Sequence, residues 1–343
     1  FFADATLVYR ALEATLIALF QGATMIDVFP FSGLSVAVLG LGPGGIATAR
    51  ALTLSGAVVR AWDDDVGKRE NARKAEDCEF EIADLIDCDW LDTVSLVVEP
   101  DYVPTSKSVH PAVVAAKAAN CEVISDAELL ARAQRDASYV GVADRADDGR
   151  ALDIITHVLR ATGQDVETAG TDDLPMLDTW ALEVGCTYVL SMPPARCAHT
   201  VSITFDVAVL LDTGRSGWPP YGTIKESKDA LKWLFHRQSG PQGAILNVDD
   251  PVIARFYKDL KRRNSNVVIG VSSNKKVAGG VYVIDGQLFD DIAGQDMPVF
   301  QLPEADDGAK SDYLKAAAAY AAAILRDVPA PVAVASLMAF LSV

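Results

Sequence analysis

An α/β protein that binds nucleotides needs backbone amides at the start of a helix and few side chains in the way of the phosphates. Two stretches of this 343-residue chain have that form. The first is Gly40-Leu41-Gly42-Pro43-Gly44-Gly45, a G-x-G-x-x-G turn between the apolar run starting at Ser35 and a helix-forming segment, with Asp63 and Asp64 at the end of the next apolar run. Gly40 permits the tight turn, Gly42 lets a ligand approach the backbone, and Gly45 lets the helix lie close to the strand. Gly40, Gly42, Pro43, Gly44, Gly45, Asp63 and Asp64 are therefore the candidate nucleotide-binding residues. The alternative is a glycine turn that serves only the chain's own packing.

The second stretch, YVGVADRADDGRALDIITHVLRATG from Tyr139 to Gly163, has the strand, loop and helix of a phosphate-binding loop, with Leu152, Ile155, Val158 and Leu159 on one helix face. Its loop has no lysine. Asp144, Asp147 and Asp148 stand there against Arg145 and Arg150. One like-charge contact at ~4 Å in an effective dielectric near 20 costs about 4 kcal/mol, so a metal-free triphosphate is disfavoured. Asp147 and Asp148 could instead hold a metal, against the simpler reading of a solvated charge run. His110 precedes Pro111 as a structural loop residue, His157 sits in an amphipathic helix, and His199 and His236 lack companions at ligand spacing. Neither a metal site nor a catalytic cluster is expected.

The elements around these turns alternate. SVAVLG, a glycine turn, a helix and AVVRAWDDD form a βαβ opening, and further strands follow at Thr93 to Val98 and Glu122 to Ser125, with the helix HPAVVAAKAAN between them. After Tyr139 come CTYVLS (186–191), DVAVLLD (206–212), GAILNVDDP (243–251), NVVIGVS (266–272) and a β-hairpin around Asp285-Gly286, then a helix-rich end. Half of the residues are apolar, but in short runs below the ~18 to 20 that a membrane-spanning helix needs. A formal charge of −17 argues against nucleic acid and anionic membranes as partners. The five cysteines form no C-x-x-C pair and no signal peptide is visible, so reduced thiols in a cytoplasm are expected.

The order of FPFSGLSVAVLGLGPGGIATARAL, HPAVVAAKAANCEVISDAELLARA, HVLRATG, DVAVLLD, AILNVDDP, AGGVYV and AAAAYAAA resembles the Mur ligase family, and within it the ligases that add D-glutamate to UDP-N-acetylmuramoyl-L-alanine. The resemblance runs from Met25 to the end. It implies a first domain for the UDP end of the sugar nucleotide, a central domain for ATP and Mg²⁺, and a third that brings D-glutamate to an acyl phosphate. By the same resemblance the phosphate-loop lysine falls on Asp148, the magnesium glutamate on Ser191 with Pro193 and Pro194 in place of two serines, and the carbamylated lysine on Leu231, with Lys228 and Lys232 nearby. The asparagine, aspartate-histidine and arginine after the DVAVLL strand fall on Asp212, Ser216-Gly217 and Pro220, and a glycine, histidine and asparagine stretch on GAKSDYL, Gly308 to Leu314. A serine-proline-glycine segment near the uridine ligand becomes Glu99-Pro100-Asp101. Asn247, Asp249 and Asp250 survive from the ATP side.

The expected fold is α/β: a Rossmann-like parallel-sheet domain at 25–137, then a domain like those of P-loop NTPases at 138–343, with 1–24 outside the core and the glutamate-binding domain absent. The expected role is a UDP-N-acetylmuramoyl-type sugar-nucleotide-binding pseudoenzyme of peptidoglycan precursor synthesis. ATP and Mg²⁺, the family's cofactors, are not expected to serve here. An active D-glutamate ligase and an NAD(P)-binding Rossmann protein are the alternatives.

Overall fold

The computed structural model describes residues 26–74, 79–105, 107–144, 149–182, 185–213, 222–303 and 310–342. The expected extension at 1–24 lies outside these residues, as do Arg145, Asp147, Asp148, Ser216, Gly217, Pro220 and Gly308.

The first sheet has five parallel strands: β1 (Ser35–Leu39), β2 (Val58–Trp62), β3 (Glu81–Ile82), β4 (Thr93–Val98) and β5 (Glu122–Ile124), in the order β3-β2-β1-β4-β5. β1 and β4 are nearly continuous apolar runs because both faces of such a sheet are covered by helices. Those are α1 (Pro43–Leu54), α2 (Val66–Lys74), α3 (Pro111–Ala118) and α4 (Asp126–Ala133). Pro43 and Pro111 stand at the start of their helices, where a missing N–H leaves nothing unpaired. The strand order reverses at β1, with β2 on one side and β4 on the other. A crevice therefore opens at the carboxyl ends of β1 and β4.

The second sheet has nine strands in the order β14-β13-β12-β11-β10-β9-β6-β8-β7: β6 (Ser138–Ala143), β7 (Val166–Ala169), β8 (Thr187–Ser191), β9 (Val207–Leu210), β10 (Gly243–Asn247), β11 (Val267–Ser272), β12 (Val281–Ile284), β13 (Gln287–Asp290) and β14 (Met297–Gln301). It is parallel from β7 through β12, and β13 and β14 add an antiparallel edge. Asp285 (φ 50°) and Gly286 (φ 75°) both adopt the left-handed conformation that a two-residue hairpin requires. The helices are α5 (Arg150–Arg160), α6 (Pro194–Ala198), α7 (Ile224–Leu231), α8 (Ile253–Arg263), α9 (Lys310–Leu325) and α10 (Ala330–Leu341). Residues Ala316 to Ala323 are all buried, so α9 is enclosed on every side along that stretch. Within it, Tyr320 donates its hydroxyl to Asp290 at 2.9 Å. No helix among the described residues is long and apolar enough to cross a membrane.

Polar contacts join the two sheets. Ser125 caps α4, its Oγ accepting from the Glu128 amide at 3.2 Å and sharing a 2.6 Å hydrogen bond with Thr200 Oγ1. Asp126 and Arg196 form a two-point ion pair of 2.7 and 2.9 Å, and Arg196 Nη1 also donates to the carbonyls of Gly170 and Ser191 at 3.0 and 2.7 Å. Glu128, 0% exposed, accepts from the amides of Val201 and Ser202 at 2.8 Å each, from the Ser202 hydroxyl, and from Arg132 Nε at 2.9 Å. Buried charges persist only with such partners.

Arg196→Met would leave the Asp126 carboxylate buried without its counter-charge. It should lower stability by about 3–5 kcal/mol, whereas Arg196→Met with Asp126→Leu should recover most of that loss. Urea-unfolding midpoints of the parent and the two variants measure it, and equal losses in both would contradict the assignment.

Candidate functional site

The glycine turn lies in the crevice of the first sheet. Gly40 takes φ +108°, and its amide donates to the Trp62 carbonyl at 2.8 Å, which ties the turn to the end of β2. A Cβ on Gly45 would fall 2.1 Å from the Gly40 carbonyl oxygen, so α1 can approach β1 only with glycine there. The turn's amides meet two carboxylates of the same chain. Leu41 N donates to Asp63 Oδ2 at 2.8 Å, Gly42 N to Glu99 Oε2 at 3.0 Å, and Gly45 N to Glu99 Oε1 at 2.6 Å. Gly40, Gly42, Gly44, Gly45 and Asp63 are thus brought together, with Glu99 as an added member.

Asp63 is 1% exposed and accepts two further hydrogen bonds, from the Asp65 amide at 2.9 Å and the Tyr102 hydroxyl at 2.7 Å, with Lys68 Nζ at 3.6 Å. Burial alone would raise its pKa, but the Leu41 amide, Tyr102, the Asp65 amide and Lys68 outweigh it and hold the carboxyl below the usual range. For Glu99 the balance is reversed: burial outweighs the donors Gly42 and Gly45, and its pKa is raised. Asp64 faces solvent and accepts from Trp62 Nε1, with His110 Nε2 also at 3.2 Å. Arg69 lies over the Trp62 ring, 4.2 Å from its centroid. His110 caps α3 through Nδ1 at 3.2 Å from the Ala112 amide, a structural part as its place before Pro111 suggested.

Near the second sheet's expected nucleotide side, Leu231 is a 0% exposed core residue. Ser191 ends β8, and its carbonyl is held by Arg196. Pro193 and Pro194 begin α6, and Lys232 pairs with Asp229 at 2.5 Å. Asn247 donates to the Leu211 carbonyl at 2.8 Å and accepts from the Asp249 amide at 2.9 Å. Asp249 accepts from Ser272 Oγ, Ser273 N and Asn274 Nδ2 at 2.7 to 2.9 Å, and Asp250 accepts from the Val252 and Ile253 amides at the start of α8. These three residues bond to their own chain across β9, β10, β11 and α8. Among the described residues no cluster of three or more His, Cys, Asp or Glu is arranged to hold a metal ion. Tyr102 and Lys68 escaped the sequence reading. Their signal was only proximity to the E-P-D segment and to Asp63.

No family model matches the chain. It is similar to the UDP-N-acetylmuramoylalanine–D-glutamate ligases of Phenylobacterium zucineum (32% identity over 306 residues, 87% of this chain and 65% of that one), Caulobacter sp. strain K31 (31% over 323 residues, 92% and 68%) and Rhodospirillum rubrum (30% over 324 residues, 93% and 67%). The chain belongs to the Mur ligase family. It spans about two-thirds of the length of these Mur ligase relatives. Among solved structures, the MurF ligases of Acinetobacter baumannii (TM-score 0.44, 13% identity, 60% of this chain and 46% of that one) and Thermotoga maritima (0.42, 15%, 69% and 55%) are similar.

Asp63→Asn removes a charged acceptor from three donors and should lower stability by about 1–3 kcal/mol at pH 7. With its folded pKa below the unfolded value of about 3.9, the carboxylate's contribution is complete above that value and is lost as pH falls through the folded pKa. The difference between parent and variant should shrink when melting is repeated near pH 3. A gap that stays constant would show that the charge is not what Leu41 and Tyr102 require.

Proposed function

We propose that this chain is a Mur ligase family protein of peptidoglycan precursor synthesis that does not transfer phosphoryl groups from ATP. Its role on this reading is recognition, in the cytoplasm, of a UDP-N-acetylmuramoyl-type sugar nucleotide at the first sheet. The observation that carries the proposal is Leu231. By the resemblance it stands where the family's carbamylated lysine helps bind metal, and it is a 0% exposed aliphatic side chain of the core. Phosphoryl transfer needs Mg²⁺ held against the transferring group. Leu231 offers no donor atom, and Ser191 offers a neutral hydroxyl in place of a carboxylate, so these positions do not fit the ion. The bonds of Asn247, Asp249 and Asp250 within their own chain support the same reading.

Two other readings remain distinguishable. A dinucleotide enzyme would use the acid after the second strand to hold a ribose diol, and the Asp63 carboxylate already accepts from Leu41, Asp65 and Tyr102. An active ligase would form an acyl phosphate. Incubated with ATP, Mg²⁺ and UDP-N-acetylmuramoyl-L-alanine, the protein should yield no hydroxylamine-trapped acyl phosphate above a no-enzyme blank, and a clear signal would refute the proposal. In a melting panel, the UDP-sugar should raise the transition more than NAD or ATP–Mg²⁺, since only ligands of the native state stabilise it.

A further inference from the structure

The glycine turn already holds an anion, and that anion belongs to the chain. Glu99 is the first residue after β4, in extended backbone (φ −65°, ψ 156°), and its side chain crosses the switch point to the turn. One carboxylate oxygen accepts from Gly42 N and the other from Gly45 N, at 3.0 and 2.6 Å. The glycines leave the room that this side chain fills. A Cβ on Gly40 would lie 2.4 Å from Glu99 Oε2, one on Gly42 2.9 Å from Oε1, and one on Gly44 3.3 Å from Oε1. Bare backbone and inward amides are the two properties by which such turns admit a diphosphate. Here one carboxylate uses both.

The charges around the turn make sharing unfavourable. Asp63 holds the Leu41 amide, and Asp126 Oδ2 would be 3.9 Å from a Cβ on Gly44. The cations that act on Glu99 already have partners: Lys68 stands 3.6 Å from Asp63 and 4.0 Å from Asp101, and Arg196 is held by Asp126. A diphosphate arriving beside a resident Glu99 would meet carboxylates and find the amides of Leu41, Gly42 and Gly45 occupied.

We propose that Glu99 is a built-in competitor for the diphosphate of a nucleotide, so that the turn accepts the ligand only when the Glu99 carboxylate leaves it. The proposal rests on the reading above that the first sheet is the nucleotide-binding one, and it adds the residue that sets the affinity there. Glu99 acts as an autoinhibitory contact. It also stabilises the empty turn, because it satisfies two amides at the start of α1.

The test uses the full chain as parent, Glu99→Ala and Glu99→Gln, with inorganic pyrophosphate and uridine diphosphate as probes in calorimetry and thermal melting. Without ligand, Glu99→Ala should melt lower than the parent. Pyrophosphate should bind Glu99→Ala at least about tenfold more tightly than the parent and should restore its melting temperature, which a purely structural cap would not predict. Glu99→Gln keeps the shape and removes the charge. It should also gain affinity, by a smaller factor, and it carries the test if the alanine variant does not fold. Equal pyrophosphate affinity in the parent and in the folded variants would overturn the proposal. A gain for pyrophosphate with no further gain for uridine diphosphate would support Glu99 as competitor and refute uridine-nucleotide recognition, so the two readings fail separately.

Discussion

The ion pair between Asp126 and Arg196 is the constraint on which the arrangement of the two sheets depends. Both residues are buried, and each contributes through more than the other. Arg196 also holds the carbonyls of Gly170 and Ser191, at the ends of β7 and β8, while Asp126 opens α4 behind the glycine turn. One guanidinium therefore links the carboxyl-end crevice of the first sheet to the corresponding end of the second. Glu128, two residues further along α4, accepts from the amides of Val201 and Ser202 and adds a second point of attachment beside the pair. A guanidinium suits this place because it stays charged when buried and presents several donors in a fixed plane.

This linkage bears on chemistry in the crevice. A cation in that position in a nucleotide-binding protein would be available to phosphate, but Arg196 is saturated by Asp126 and two carbonyls. The carboxylates of Asp63, Glu99 and Asp126 then set the local field, relieved by Lys68. The turn retains the backbone form of an anion site and carries acidic side chains around it. Backbone geometry and side-chain charge therefore point in opposite directions, and Glu99 reconciles them by serving as the anion.

Much of the fold was legible in sequence. β1, β4, β6 and β8 through β11 are short apolar runs, as strands buried on both faces should be, and Asp285-Gly286 marked its hairpin through turn chemistry alone. β7 and β14 were not legible: Val166–Ala169 reads Val-Glu-Thr-Ala, four residues that neither alternate nor form an apolar run, and β14 contains Pro298. The glycine turn could be read from spacing, but its occupant could not. Glu99 lies 54 residues from Gly45, and the two meet only because β4 is the neighbour of β1 in the sheet order. Asn247, Asp249 and Asp250 could likewise be read as a motif. The bond of Asn247 to Leu211 and those of Asp249 to Ser272 through Asn274 depend on β9 and β11 lying on either side of β10.

Pro298 has a consequence beyond local geometry. β14 forms one margin of the nine-stranded sheet, and a margin strand presents unpaired amides and carbonyls that could recruit a strand from another molecule. Proline removes one donor from that row, and the register shift beside Phe289 breaks the row's regularity. At the margin of the other sheet, β3 is only two residues long, too short to guide an incoming strand. The protein thus ends these two sheet margins by different means, and both discourage strand exchange between molecules at high concentration.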